Sequence, residues 1–514
     1  MASTPMHANR PLEGGRRLAA MLALAGSVFM NVLDLTIANV SIPTIAGDLG
    51  ASPTQGTWTI TFFAIATAIM VPLTGWLAER IGQVRLFVLS TLAFTAASAL
   101  CGFSGSLEGL IVARVLQGAA AGPMVPLSQT LLLRIYPPEM AARAMVAWTL
   151  PALAGPVLGP PLGGFITETF SWPWIFFINV PLGVIGASVT WALLRDRESS
   201  LSRKPVDVVG LALLVVWVTA LQLMLDLGRE QDWFNSREIV TLAIMAAVGF
   251  VFFVIWEWHD PHPVVDLTLF ARDNFSFGVV MNGLGFGIYF SGVVLLSLWM
   301  QQTLGFSIML AGALGAPPGL IAALMSPVLA RLIQAFGSHL LLIVGFVAFA
   351  AANLLRSGFD PAVMPESIAL AQVLLGIGVS LLFIPLNLLI LQGLPQARLA
   401  SASGLANFIR LLVMAAMTSA ATTLWDYRAS FHHSRLVEGV TPFNPALEHY
   451  IDQARTGGVP DTGAMALIER LIDQQAHTLA VDDYFWCCGL LFAVLLVPLG
   501  ISWQRSRLSR PRST

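Results

Sequence analysis

Uninterrupted apolar runs of about twenty residues recur along the chain, and most of the charged residues sit in the short stretches between them. A helix rising about 1.5 Å per residue needs about 20 such positions to cross a hydrocarbon layer about 30 Å thick. Fourteen runs fit: 18–40, 56–77, 86–103, 107–133, 144–167, 174–194, 207–226, 238–257, 275–299, 308–330, 339–356, 366–392, 400–424 and 483–503. The pattern predicts an all-α integral membrane protein with fourteen transmembrane helices, here spans one to fourteen. One sizeable extramembrane segment remains, the loop 425–482. Within it Ala464, Leu467, Ile468, Leu471 and Ile472 recur at helical spacing, which describes an amphipathic helix.

Composition agrees. Of 514 residues 56% are hydrophobic and 11% charged, less than half the usual charged share of about 25%, which excludes an ordinary soluble enzyme. A net charge of −2 implies no bulk attraction to nucleic acid. Cys101, Cys487 and Cys488 all lie in apolar runs, so no disulfide framework or Cys-based zinc site is expected. Arg16 and Arg17 before the first run resemble the start of a secretory signal. The run continues past Asp34 to Val40 without a small-residue cleavage pattern, so it reads as a retained span.

Basic residues set the expected orientation. With the N-terminus in the cytoplasm, eighteen of the 27 fall in cytoplasmic segments and seven, Arg356 among them, on the opposite side. Both termini are then cytoplasmic. A faint repeat suggests two similar six-helix bundles around a central pair: Ile111 to Pro126, IVARVLQGAAAGPMVP, resembles Ala369 to Pro385, with Arg114 opposite Gln372 and Gly118 opposite Gly376.

Motifs then carry a family resemblance. Gly75 to Leu86, GWLAERIGQVRL, resembles the loop signature between spans two and three of the major facilitator superfamily. Its glycines, Gly75 and Gly82, permit tight turns, and Arg80 and Arg85 are placed to hold the loop to a helix end or an acidic partner. LDLTIANV from Leu33 resembles the span-one signature of the fourteen-helix drug:proton antiporter branch. Ala113, Arg114, Gln117 and Gly118 match its span-four motif, and GPVLGPPLGG from Gly155 its span-five antiporter motif. WIFFINVPLG from Trp174, VVDLTLF from Val264, and Trp425, Arg428, His432, His433 with PFNP in the long loop are similar to the EmrB/QacA-type family, nearest the inner-membrane pumps of Gram-negative tripartite systems.

The resemblance implies a major facilitator fold. Expected are a tail 1–17, an N-terminal bundle 18–194, a linker region 195–274 with two extra spans, a C-terminal bundle 275–503 and a basic tail 504–514. It implies an inner-membrane, proton-coupled exporter of hydrophobic or amphipathic toxic compounds, working by alternating access with a periplasmic adaptor and, through it, an outer-membrane channel. No cofactor or metal is expected, the proton gradient being the driver. Export of an endogenous metabolite or siderophore, or nutrient symport, is the alternative.

Charges inside hydrocarbon cost at least about 2.5–3.5 kcal/mol each, so Asp34, Arg114 and Arg410 are functional candidates. Asp34 in span one and Arg114 in span four fall at similar depth, either as a proton-coupling pair or as a fixed clasp with Thr36, Asn39 and Gln117. Arg410 sits near the midplane, facing an anionic substrate or held by backbone carbonyls and neighbours such as Asn407 and Ser403. Asn387, Gln392 and Asn282 are cavity candidates or interhelical hydrogen-bonding residues. In span five Gly155, Gly159, Gly163 and Gly164 offer a flat packing face, while Pro156, Pro160 and Pro161 bend the helix; together they read as a hinge or seal, or as ordinary small-residue packing. Leu467, Ile468, Leu471 and Ile472 either dock an adaptor or pack on the protein's own outer surface. His259, Asp260 and His262, and the His432–His433 pair, lack further ligands at metal-site spacing. Walker, GxSxG and HExxH motifs are absent, so no enzyme is expected.

Overall fold

The computed structural model describes residues 12–199, 201, 205, 207–441, 444–457 and 460–508; the side chains of some helical residues, Pro156, Pro160 and all of 501–508 among them, fall outside that set. The two expected tails therefore lie mostly outside the described residues, as do Arg203 and Lys204. Everything regular among the described residues is helical.

Span one is Gly14–Asp48, three Gln83–Gly102, five Ala141–Thr169, seven Val208–Leu227, eight Arg237–His259, nine Asp273–Gln302, eleven Ser338–Arg356 and twelve Pro365–Leu391. Four spans are interrupted. Span two is Pro53–Met70 then Thr74–Ile81, span four Leu107–Ala121 then Met124–Ile135, span six Trp174–Phe177 then Asn179–Leu194, and span ten Ile308–Gly315 then Pro317–Phe336. Span two bends by 61° across its break; Pro72 there, like Pro123 in span four, removes a backbone donor. Eleven helices are long and apolar enough alone to cross a membrane, and span two makes twelve when its halves are counted together. Spans five and ten, diluted by glycine and proline, complete the fourteen.

Spans one to six pack chiefly on one another, as do nine to fourteen. The central pair lies alongside, with span seven against spans two and thirteen, where Trp217 meets Phe408 at 5.8 Å between ring centroids. The repeat is visible in the joints. Gly82 at φ 100° links span two to three, and Gly337 at φ 78° links ten to eleven, both in a region that favours glycine. Gly118 and Gly376, paired in the sequence repeat, do the same job: a Cβ would strike the Phe63 carbonyl of span two at 2.3 Å or Ile321 of span ten at 2.8 Å.

The long outer loop is not a loop. Span thirteen, Leu399–Val437, has 39 residues, nearly twice what a bilayer core needs, and span fourteen, Asp461–Leu508, starts 22 residues before the expected 483. A short helix, Pro445–Thr456, lies between them. Helical backbone bonding does not require apolar side chains, so both helices run on past the apolar run. The projecting hairpin is tied by Asp483, which accepts from Arg428 Nε at 2.6 Å and lies 2.7 Å from His432 Nε2, and by Trp425 Nε1 donating to the His477 carbonyl at 3.0 Å.

The span-five glycines face span one. A Cβ would lie 2.6 Å from Val32 at Gly155, 2.1 Å from Thr36 Oγ1 at Gly159 and 2.9 Å from the Ile37 carbonyl at Gly163, whereas Gly164 has nothing within 4 Å. Three glycines at i, i+4, i+8 thus hold span one close, and the fourth stands off the stripe. Gly159→Ala is expected to lower stability by about 1–3 kcal/mol, while Gly164→Ala leaves it unchanged. Thermal melting in detergent checks this.

Candidate functional site

Asp34 is fully buried in the N-terminal bundle, and four other spans converge on its network. Its Oδ2 accepts from Arg114 Nη1 of span four at 2.5 Å. Its Oδ1 accepts from Gln117 Nε2 at 2.9 Å and from Asn179 Nδ2 of span six at 2.8 Å. Asn179 also donates to Ser98 Oγ of span three at 3.0 Å, and Ser98 donates to the Phe176 carbonyl at 2.9 Å. Arg114 is equally buried. Its Nε donates to the Thr59 carbonyl of span two at 3.1 Å, its Nη1 also reaches Gln117 Oε1 at 2.7 Å, and its guanidinium lies 4.0 Å from the Phe63 ring centroid. Its Nη2 has no partner. The site is built for a charged carboxylate: three donors on two oxygens and one full counter-charge.

Two residues expected in this network stand elsewhere. At about 100° per residue Thr36 and Asn39 project about 200° and 140° away from Asp34. Thr36 Oγ1 donates to the Gly155 carbonyl of span five at 3.1 Å, and Asn39 is exposed. Asn179, Ser98 and Thr59 took their place; neutral polar residues in apolar runs gave no signal of it.

Between the bundles lies a separate cavity of about 140 Å³. Span one lines it with Asn31, Leu35 and Thr36, span nine with Phe286, Tyr289 and Phe290, span twelve with Asn387, and span thirteen with Asn407 and Arg410. Arg410 is its one charged lining residue, 4.8 Å from the Phe286 ring centroid, with Nε unpartnered. Asn387 and Asn407 both line the cavity and bridge the bundles through Gln129 of span four. Gln129 Nε2 donates to Asn387 Oδ1 at 3.1 Å, and its Oε1 accepts from Ser403 Oγ at 2.5 Å. Asn282 is buried away from the cavity lining, its Oδ1 without a donor, and Gln392 is exposed at the end of span twelve.

The bundles touch on both sides of this cavity. On the face where span one begins, a Cβ on Gly75 would lie 2.2 Å from Ser401 Oγ; on the other, one on Gly312 would lie 3.3 Å from Pro161. Small-molecule pockets usually hold about 300–1,000 Å³, so a drug-sized ligand requires the bundles to separate. The loop motif works through backbone more than through its arginines. Glu198 accepts from the N–H groups of Val84 at 3.0 Å and Arg85 at 2.9 Å and fills the space beside Gly82, while the Arg85 side chain is exposed. Arg80 lies 5.5 Å from the Trp76 ring centroid, and Arg134 ties the loop, donating to Gln83 Oε1 at 2.8 Å.

The C-terminal bundle holds a counterpart that the charge count misplaced. Arg356, expected in an outer loop, is 1% exposed. It donates to Gln372 Oε1, and Phe485 lies 5.2 Å away. Gln372 occupies the position that Arg114 holds in the repeat; the arginine comes from span eleven instead, and among the described residues no carboxylate pairs with it. On the hairpin, Leu467 and Leu471 are exposed while Ile468 and Ile472 are half-buried, lining with Leu471 a cavity of about 540 Å³ against Pro361 and Leu436. His259 and His262 share no ligand set. His433 does meet Glu469 at 3.2 Å and Asp473 at 3.5 Å, partners that lie too far along the chain to be read by spacing.

Two six-helix groups around a midplane cavity, with a buried ion pair in one of them, define a secondary transporter fold. The chain belongs to the major facilitator superfamily, whose model matches residues 24–418. It is 45% identical over 488 residues to the multidrug export protein EmrB of Haemophilus influenzae, covering 95% of this chain and 96% of that one. It is 41% identical over 486 residues to the fatty acid resistance protein FarB of Neisseria gonorrhoeae, covering 95% and 96%. The human organic anion transporter MFSD10 (TETRAN) shares the fold at 14% identity with a TM-score of 0.57, over 93% of this chain and 100% of that one. This protein is a multi-pass membrane transporter.

Removing one partner of the ion pair strands the other. Arg114→Leu is expected to lower stability by about 3–5 kcal/mol, and adding Asp34→Leu to recover most of the loss, as measured by unfolding in mixed micelles. A double variant no more stable than Arg114→Leu alone contradicts this.

Proposed function

We propose that this protein is a proton-coupled exporter of hydrophobic or amphipathic toxic compounds in the inner membrane, with both termini cytoplasmic. One observation carries the reading: span one presents Asn31, Leu35 and Thr36 to the cavity and, from the same turns, Asp34 to a sealed ion pair. A compound wedged between the bundles against Asn31, Leu35 and Thr36 presses span one onto its own bundle and favours the charged, paired Asp34. Protonation of Asp34 instead releases Arg114 and loosens spans one, four and six. Proton binding and substrate binding thus act on one helix in opposite senses, which is the linkage an antiporter needs. The proton gradient supplies the energy, and no cofactor takes part. The names of the relatives, multidrug export and fatty acid resistance, support apolar and amphipathic cargo.

The exposed Leu467 and Leu471 on the projecting hairpin support contact with a periplasmic adaptor and, through it, an outer-membrane channel. Proteoliposomes with an imposed pH gradient, screened with cationic, neutral and anionic lipophilic compounds, are expected to show gradient-driven movement that Asp34→Asn abolishes; no movement of any compound overturns the proposal. Leu467→Arg with Leu471→Arg is expected to abolish crosslinking to a co-expressed adaptor while leaving transport in liposomes intact. Retained crosslinks remove the hairpin from that role.

A further inference from the structure

Spans seven and eight stand outside both bundles, and neither Asp34 nor the cavity lining involves them. At their ends on the N-terminal face lie two acids, Asp207 and Glu257, 8% and 3% exposed. Asp207 precedes span seven and caps it, its Oδ1 accepting from the Gly210 N–H at 2.8 Å; it also accepts from Trp256 Nε1 at 3.0 Å. Glu257, near the end of span eight, accepts from the Val265 N–H through Oε2 at 3.0 Å. Its Oε1 is buried and has no donor among the described residues.

Gly210 shows where that oxygen points. A Cβ there would lie 2.1 Å from Asp207 Oδ2 and 2.5 Å from Glu257 Oε1. The two carboxyl groups therefore face one another over a glycine, with no side chain between them. No cation pairs with either among the described residues. Arg398, on the same cavity of about 620 Å³ that Glu257 lines, is held by Asp266 at 2.9 Å and Thr268 at 2.8 Å. The other titratable groups there are Glu79, His262 and Asp260, which accepts from the His262 N–H at 2.6 Å. A buried carboxyl oxygen that lacks a donor and faces a second buried carboxyl group is satisfied by a proton shared between the two.

We propose that Asp207 and Glu257 form a proton-binding site, with one proton held between Asp207 Oδ2 and Glu257 Oε1. The proton gives the orphaned Oε1 its hydrogen bond. It also leaves Oε2 free to hold Val265, which lies midway along the connector from the central pair to cavity-lining span nine. Without it two like charges face each other, and the ends of spans seven and eight are driven apart. Because the folded pair binds a proton that the separated acids release, the stability it contributes is present at low pH and lost as pH rises.

Infrared spectroscopy and thermal melting of the purified full-length protein, from about pH 6 to about pH 9, test this. The expected result is a protonated-carboxyl band at neutral pH that is lost in Glu257→Gln and in Asp207→Asn but retained in Asp34→Asn, with a wild-type melting temperature that falls as pH rises. Glu257→Gln, whose amide supplies the same donor, is expected to melt independently of pH over that range. A band unchanged in both variants overturns the proposal. So does a wild-type melting temperature that ignores pH and instead follows added sodium, potassium or magnesium at fixed pH. The wild-type titration decides even where a variant fails to fold.

Discussion

The ion pair between Arg114 and Asp34 is the constraint on which the N-terminal bundle depends. A lone charge in this position costs several kcal/mol, so each group requires the other and both require neutral donors and acceptors to complete their shells. That requirement recruits spans one, two, three, four and six to one point through Asp34, Thr59, Ser98, Arg114 and Asn179. Span five is drawn in differently, by glycines that let it lie against Val32 to Ile37. The pair is therefore a fastener and a charge store at once, and a change in its protonation is felt by every helix it fastens.

The C-terminal bundle repeats the arrangement without the carboxylate. Arg356, Gln372 and Phe485 draw spans eleven, twelve and fourteen together much as Arg114, Gln117 and Phe176 do in the first half. Among the described residues no carboxylate pairs with Arg356. The asymmetry confines the buried ion pair to one bundle, with Gln129 and the cavity at the boundary between the two.

Much of this was legible in the residues. Apolar run length gave the spans, and charge inside a run singled out Asp34, Arg114 and Arg410, which the fold places as a buried pair and as a lining residue of the cavity. The three-residue step from Arg114 to Gln117 kept both on one face. The same helical arithmetic excludes Thr36 and Asn39, which share a motif with Asp34 but not a direction. Run length could not tell a residue at the end of a span from one inside it, so Arg356 read as an outer arginine. Nor could it follow spans thirteen and fourteen past the apolar run. Asn179, Glu198 and Gln129 were hidden because a neutral amide in an apolar run, or an acid in a loop, has no distinguishing local pattern; each is defined by a partner at least fifty residues away.

The central claim is that Asp34 carries the proton that cargo displaces. Its most direct test is proton release by the purified protein, first brought to a pH low enough to protonate Asp34, in weakly buffered detergent solution, read with a pH indicator as a lipophilic probe dye is titrated in. The account predicts release on binding by the wild type and none by Asp34→Asn at matched occupancy of the dye. Equal release from both would contradict it.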